Sequence, residues 1–349
     1  MERPSPPLIN GSIHGMKAYI DYVNGVDFST MQAFIPFLYI IPTACVMVRI
    51  LVLYRRAKAA LNSATMDHNI FACIMFYFLF NALFFIGDYL HLNLPSSGMI
   101  TSWCASTQPS RLYTIIIMFA YISNFAVMIC PFLVSLIRLT ILLSPRHNER
   151  YCRLIMNRFG IPFLFITPLI LVLPVNFNAV GYCRQMGGPW GFGSVTFSEG
   201  NFYGEINVYI HFSFSTFLAV VSCGMSSVMF YKLRRTVFNG SSVSARTKKL
   251  TRKAEWSLSL TMASSLVPFI TNTIVNLTFI FDRSLMFYVL FIRPIGNDYE
   301  TVMMPWVLYL THPMFKQKKA PKVNQSSSNI WMNNTPNNNQ NNSRSSQLF

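Results

Sequence analysis

Residues 112–137 read LYTIIIMFAYISNFAVMICPFLVSLI, a stretch without a single Asp, Glu, Lys or Arg. In a helix, about 20 predominantly apolar residues are enough to cross the ~30 Å hydrocarbon core of a bilayer. This stretch is long enough and apolar enough to do so. It therefore predicts a transmembrane helix.

Six more runs of this kind lie before and after it, and we number all seven in chain order as span one to span seven. The other six occupy residues 34–54, 70–92, 159–180, 206–231, 256–281 and 287–310. Span seven is the least uniform, because several polar and charged residues interrupt it. A soluble core would not need seven long helices that are apolar all round, and barrel strands would be shorter with alternating polarity. The fold class we predict is an all-α membrane protein, a bundle of seven transmembrane helices.

The composition supports a membrane protein and excludes two other classes. Charged residues make up 11% of the 349 residues, against about 25% in soluble globular domains. A disordered chain would be poor in aromatic residues, whereas this one has 15%. The net charge of +16 would suit nucleic acid or a membrane surface. Because the basic residues lie between the apolar runs, we expect contact with membrane lipid and no nucleic-acid partner.

The distribution of the basic residues predicts the orientation in the membrane. The loops after spans one, three and five and the C-terminal tail carry 20 of the 28 Lys and Arg, and the opposite side carries five. Basic residues favour the cytoplasmic side, so we expect the N-terminus outside and the C-terminus inside. The predicted organisation is an extracellular segment 1–33, a transmembrane domain 34–311 and a cytoplasmic tail 312–349, whose Asn- and Ser-rich end is expected to be disordered.

Two features fall on the predicted outer side. Asn10 opens an Asn-Gly-Ser sequence, the acceptor pattern for N-glycosylation. Of the seven cysteines, only Cys104 and Cys183 lie on this side, where disulfides persist. A bond between them would tie the start of span three to the loop between spans four and five. Two free thiols are the alternative.

Short motifs along the chain connect it to a known family. They are SIHG (12–15), SWCA (102–105) with QP (108–109), PFLVSLIRL (131–139), GYCRQ (181–185), KAEWSL (253–258), RPIGND (293–298) and PWVLYLTHP (305–313). With seven spans, an outside N-terminus and the cysteine pair, the chain resembles a G protein-coupled receptor. Its motifs resemble those of nematode serpentine chemoreceptors, most of all class U of the gamma superfamily. The resemblance implies a plasma-membrane receptor of sensory cilia that binds a small molecule and signals to a heterotrimeric G protein.

Polar residues inside the spans are candidates for function, because they are costly in a membrane. Asn81, Asn124, Asn297 and Asp298 sit near the middle of spans two, three and seven. In the receptor arrangement these helices are neighbours, so we predict a shared polar pocket that changes its packing on activation. A static hydrogen-bond network between the helices is the alternative.

Four ionisable residues near the outer ends of the spans are candidates for the ligand pocket: Asp88, His91, His211 and Arg293. Ligand cavities between helices are mostly apolar, with a few polar anchors. Asp88 could pair with Arg293 or bind a charge of the ligand. Anchoring at the membrane interface accounts for the surrounding tyrosines equally well.

The predicted G protein-facing residues lie at the inner ends of the spans. Arg138 ends span three, and Arg234, Arg235, Lys248 and Lys249 belong to the third inner loop. Rhodopsin-like receptors have an acidic residue before this arginine and an aromatic one after it. Here the neighbours are Ile137 and Leu139, so an ionic lock of that kind is not expected. Contact with lipid phosphates is the alternative for Arg138.

Other functions fit the sequence less well. No metalloprotease, serine-hydrolase or phosphate-binding motif occurs, so we predict neither an enzyme nor a cofactor or metal site. A retinal Schiff base needs a lysine, and no span contains one. A seven-helix chemosensory channel or transporter remains the alternative. Such channels have the opposite orientation, and a pore would require more polar residues along one path.

Overall fold

The computed structural model describes residues 11–25, 28–59, 66–144, 148–238, 256–257, 259–260 and 266–316. It describes all side chains in these ranges except those of residues 148, 201, 233–238, 266–268, 283–284, 292–295, 297–298, 300 and 316. Among the predicted site residues, Asn10, Lys248 and Lys249 lie outside the described ranges. The side chains of Arg234, Arg235, Arg293, Asn297 and Asp298 also lie outside what is described.

The described chain is dominated by seven long helices, which follow the seven apolar runs. They are α1 (Phe28–Ala59), α2 (His68–Asp88), α3 (Arg111–Leu143), α4 (Ile161–Asn176), α5 (Asn201–Phe238), α6 (Leu266–Phe281) and α7 (Arg283–Thr311). Within the described residues, five helical stretches are long and apolar enough to cross a membrane, and they contain α1 to α4 and most of α5. The helices α6 and α7 contain shorter apolar stretches, Phe269–Phe281 and Thr301–Thr311.

A π turn, which is wider than an α-helical turn, adjoins two of the long helices. A π turn, Tyr89–Asn93, continues α2 and leads into the short helix Leu94–Ser96. A second π turn, Met156–Gly160, joins the amphipathic helix Asn148–Ile155 to α4. Such turns insert a residue into a helix and change the direction of the side chains that follow. The first one carries His91, a predicted pocket residue.

The centre of the bundle is α3, which packs against α2, α4 and α5. Its residues Ile129, Leu133 and Ile137 are completely buried. Gly87 lets α2 approach α3 closely, because a Cβ atom at this position would lie 2.9 Å from the Cα of Ala120. Small residues allow such close packing between membrane helices. The ring of helices continues as α5, α6, α7 and α1, each packed against the next.

The outer surface of the bundle is apolar. Large exposed side chains include Leu38, Ile41, Ile170, Phe217 and Val220. Soluble proteins rarely expose contiguous apolar surface on this scale, whereas lipid covers it without cost. The exposed faces therefore fit the predicted membrane environment.

One end of the bundle carries a small folded layer. Strands β1 (Tyr182–Gln185) and β2 (Val195–Ser198) form an antiparallel hairpin in which Cys183 faces Phe197. A disulfide joins Cys183 to Cys104 in the short helix Thr101–Ser106. The hairpin is thereby attached to the segment that leads into α3.

The N-terminal segment 11–25 packs onto this hairpin. The Ile13 amide donates a hydrogen bond to the Cys183 carbonyl at 3.1 Å, and the Gly15 amide donates to the Ala105 carbonyl at 2.9 Å. Gly193, at φ +89°, lies against the ring of Tyr22, which leaves no room for a side chain. We call the segment 11–25, the helix Thr101–Ser106 and the hairpin 182–198 the cap. The motifs SIHG, SWCA and GYCRQ all meet within it.

Candidate ligand site

A cavity of about 200 Å³ lies beneath the hairpin, between α3, α5, α6 and α7. Aromatic rings line it from four parts of the chain: Tyr121, Phe197, Phe279 and Phe287. An apolar cavity of about 150 Å³ holds one benzene molecule. The space therefore suits a molecule somewhat larger than benzene.

The polar centre of the cavity is His211, which α5 carries into the bundle. Its side chain is 4% exposed. The Nε2 atom lies 2.9 Å from Nδ2 of Asn124 on α3, and the Nδ1 atom lies 2.9 Å from Nδ2 of Asn276 on α6. A neutral imidazole donates at one nitrogen and accepts at the other, so one of the two amide groups donates and the other accepts through its oxygen. A single side chain thus connects three helices.

A second polar group closes the cavity on the side of the cap. Glu199 follows β2 and is 7% exposed. Its Oε2 atom accepts a hydrogen bond from Nδ2 of Asn207 at 3.0 Å. Asn207 also exchanges hydrogen bonds with Asn176 on α4, at 2.7 and 3.3 Å. Burial raises the pKa of Glu199 from 4.5 to about 8, and the hydrogen bond from Asn207 offsets only part of this.

Two of the four predicted pocket residues line this cavity, His91 and His211. His91, in the π turn after α2, places its Nε2 atom 3.2 Å from the Phe197 carbonyl oxygen. The prediction placed Asp88 in the same pocket. Asp88 is buried, but the cavity lining does not include it.

The predicted intramembrane residues take different partners. Asn124 belongs to the His211 group, whereas Oδ1 of Asn81 on α2 accepts a hydrogen bond from Oγ1 of Thr301 on α7 at 3.0 Å. Thr301 lies one helical turn after Asn297. A pocket shared by all four predicted residues therefore stays a prediction.

The predicted Arg138 is buried at the other end of α3. Its guanidinium donates a hydrogen bond to Oγ of Ser259 at 3.3 Å. Nearby in the chain, the hydroxyls of Ser257 and Thr311 lie 2.5 Å apart. These contacts hold the described pieces of span six against α3 and α7. Arg138 thus takes a protein partner at a position where contact with lipid phosphates was the alternative.

Several residues of the site were not predicted from the sequence. Asn272 and Asn276 are one helical turn apart, a spacing that puts both on one face of α6 and towards the cavity. An intramembrane pair of this kind can be read from sequence alone. Glu199 lies in a loop, where acidic residues are ordinary, so only the folded chain shows that it is buried.

Two comparisons with known proteins agree with this architecture. Residues 13–318 match the family model described as serpentine type 7TM GPCR chemoreceptor Sru. The chain is also similar to serpentine receptor class U-26 of Caenorhabditis elegans, with 33% identity over 278 residues. That alignment covers 77% of this chain and 92% of the relative. The family match includes all seven helices and most of the cap.

Proposed function

We propose that this chain, which belongs to the serpentine seven-transmembrane chemoreceptor family Sru, binds a small molecule in the cavity beneath the cap and signals to a heterotrimeric G protein. Family membership makes it a multi-pass membrane receptor and not an enzyme. The observation that carries the ligand proposal is the cavity with His211 at its centre.

The His211 group supports a route from binding to signalling. Its hydrogen bonds join α3, α5 and α6 directly beside the space for the ligand. A ligand that competes for one of these groups changes the balance between the two contacts. Ligands shift a conformational equilibrium only through such differential interactions. Arg138 contacts Ser259 of span six at the opposite end, so a movement of span six relative to α3 would alter this contact as well.

The proposed orientation places the cap outside the cell and the Arg138 end inside. The 20-to-5 division of basic residues supports it, and so does the disulfide within the cap, since disulfides persist in oxidising compartments. In this orientation Asn10 is exposed to glycosylation, and Arg234, Arg235, Lys248 and Lys249 face the G protein. The proposed location is the plasma membrane, in sensory cilia where the cell has them.

The orientation is tested in intact cells with one epitope at the N-terminus and one on the C-terminal tail. We expect the N-terminal epitope to be accessible directly and the tail epitope only after permeabilisation, with a glycan at Asn10. The reverse pattern would contradict the receptor proposal and would favour the channel alternative, which conductance measurements would then examine.

The ligand site is tested by a second-messenger screen of small molecules with Val275→Phe, which fills the cavity from α6. We expect every compound that activates the unsubstituted chain to lose at least about tenfold in potency, because the new ring occupies the binding space. The matched control is Ile274→Phe, whose side chain is on the exposed face of the same helix. Equal potency in both variants, at equal surface expression, would place the ligand elsewhere.

A further inference from the structure

One oxygen of the Glu199 carboxyl is unsatisfied. While Oε2 accepts from Asn207, the buried Oε1 atom has no hydrogen-bond partner among the described residues. Buried polar atoms in folded proteins nearly always have a partner. Because Glu199 lines the cavity, a donor group of a bound molecule can provide the missing hydrogen bond.

The rings around the cavity favour a cation as that donor. Tyr121, Phe197, Phe279 and Phe287 line the same space as the carboxyl. The face of an aromatic ring attracts an ammonium group as well as apolar atoms. A carboxyl beside several rings is therefore suited to a compact molecule with an apolar body and a positively charged nitrogen.

We propose that the cavity selects small amines, with the ionised Glu199 carboxylate as the counterion of the ligand's ammonium group and the rings as the site of its apolar body. The proposal rests on the proposed receptor function and specifies the ligand class of the same site. Asn207 and Asn176 are positioning residues, because they fix the carboxyl from α5 and α4.

The other titratable or charged side chains around the cavity are Arg184, His91, His211 and Tyr121. Arg184 runs along the N-terminal segment, where its Nε atom would lie 3.6 Å from a Cβ on Gly11. The ring nitrogens of His91 and His211 have the contacts described above, to the Phe197 carbonyl and to two amide groups. In the described part of the chain, none of these groups forms an ion pair with Glu199.

The proposal predicts a pH dependence with a definite sign. Burial raises the pKa of Glu199 to about 8, so the carboxyl of the free site holds a proton at lower pH. An ammonium ligand binds the carboxylate, and this proton is released to solvent on binding. Amine affinity should then rise about tenfold per pH unit up to about pH 8 and level off above it. A neutral ligand that accepts a hydrogen bond from the protonated carboxyl would show the opposite slope.

The experiment measures direct binding to the purified full chain in lipid nanodiscs, with benzylamine and its neutral analogue benzyl alcohol as probes. We expect benzylamine to bind at least about tenfold more tightly than benzyl alcohol near pH 8. Glu199→Gln should lose this preference for the amine. The glutamine keeps an oxygen for the Asn207 hydrogen bond, so the fold is retained, which its unfolding temperature verifies. Glu205→Gln, half-buried on α5 and outside the cavity lining, is the matched control.

Four results would overturn the proposal, and the first three concern the binding of the probes. They are equal binding of the two probes, an amine affinity that falls as the pH rises towards about 8, or an amine preference that survives in Glu199→Gln. Failure of benzylamine to bind at any pH would also count against it. The receptor function is judged separately. A neutral compound that activates the chain and loses potency in Val275→Phe would leave that function standing without the amine preference.

Discussion

At the scale of single residues, His211 shows how a buried imidazole sets requirements for its neighbours. Each ring nitrogen needs a partner once water is excluded, since an unsatisfied buried polar group costs about 1–3 kcal/mol. Asn124 and Asn276 provide these partners from two other helices. The histidine and Asn124 stand out in the sequence as polar residues within apolar runs. That they form one group follows only from the packing of α3, α5 and α6.

The buried carboxyl of Glu199 leads to a prediction about how the stability of the fold depends on pH. Its pKa is about 8 in the folded chain, compared with 4.5 for an exposed carboxyl. Between these values the unfolded chain has released a proton that the folded chain still holds. This contribution therefore destabilises the fold progressively as the pH rises from about 4.5 to about 8.

We expect Glu199→Gln to remove this pH dependence and to be more stable than the unsubstituted chain near pH 8, by more than about 1 kcal/mol. Thermal unfolding of the purified protein in the absence of ligand, at a series of pH values, measures the difference. Glu205→Gln is again the control. Parallel stability curves for Glu199→Gln and the unsubstituted chain would contradict the raised pKa.

At the scale of helices, the contact between α2 and α7 distinguishes a static network from a switch. Thr301→Val keeps the shape of the side chain and removes the donor to Asn81. We expect a loss of about 0.6–2 kcal/mol in stability, the usual value of a hydrogen bond between membrane helices. If the contact is part of a switch, ligand-independent signalling changes as well, roughly threefold or more.

The control for this substitution is Thr278→Val on α6, whose hydroxyl donates to the Val275 carbonyl of its own helix. It removes a hydroxyl without removing a contact between helices. Thermal unfolding and second-messenger assays on the same cells separate the two interpretations. Lower stability with unchanged basal signalling in Thr301→Val would favour the static network.

The helices could be predicted from the sequence to different degrees. Spans one to five are continuous apolar runs, and their helices are long enough to cross a membrane. The helix of span seven tolerates several charged residues, because a helix forms its backbone hydrogen bonds internally whatever its side chains are. The π turn at Tyr89–Asn93 contains no proline or glycine, but Pro95 follows it and cannot donate a hydrogen bond to the His91 carbonyl within the turn.

Which side chains of different helices come together was harder to predict than the helices themselves. His91 and His211 could be assigned to the cavity by their depth in the spans, but depth alone also included Asp88, which the lining does not contain. Depth gives one coordinate along the bundle axis. The direction in which a side chain points depends on helix rotation, which apolar runs without polar faces leave undefined.

At the scale of the whole molecule, the disulfide connects segments that are distant in the chain. Cys104 and Cys183 are 79 residues apart, and a bond that closes a long loop restricts the unfolded chain strongly. We expect simultaneous Cys104→Ala and Cys183→Ala substitution to lower the free energy of unfolding by about 2–4 kcal/mol.

Thermal unfolding in detergent without reductant measures this loss. Cys45→Ala, at an exposed free thiol on α1, is the control and should change stability by less than about 0.5 kcal/mol. Replacing both disulfide cysteines avoids a new free thiol within the cap. An unchanged unfolding temperature in the double variant would mean that the other contacts of the cap suffice without the bond.

The contact between Ile13 and Cys183 also imposes an order on biosynthesis. Ile13 leaves the ribosome 170 residues before Cys183, its hydrogen-bond partner. At roughly 5–20 residues per second, the N-terminal segment waits on the order of 10–30 seconds for the surface on which it folds. By then four helices have been synthesised. The cap can therefore close only after the chain has been synthesised as far as Cys183, and a chain that ends before this residue lacks the hairpin on which the N-terminal segment packs.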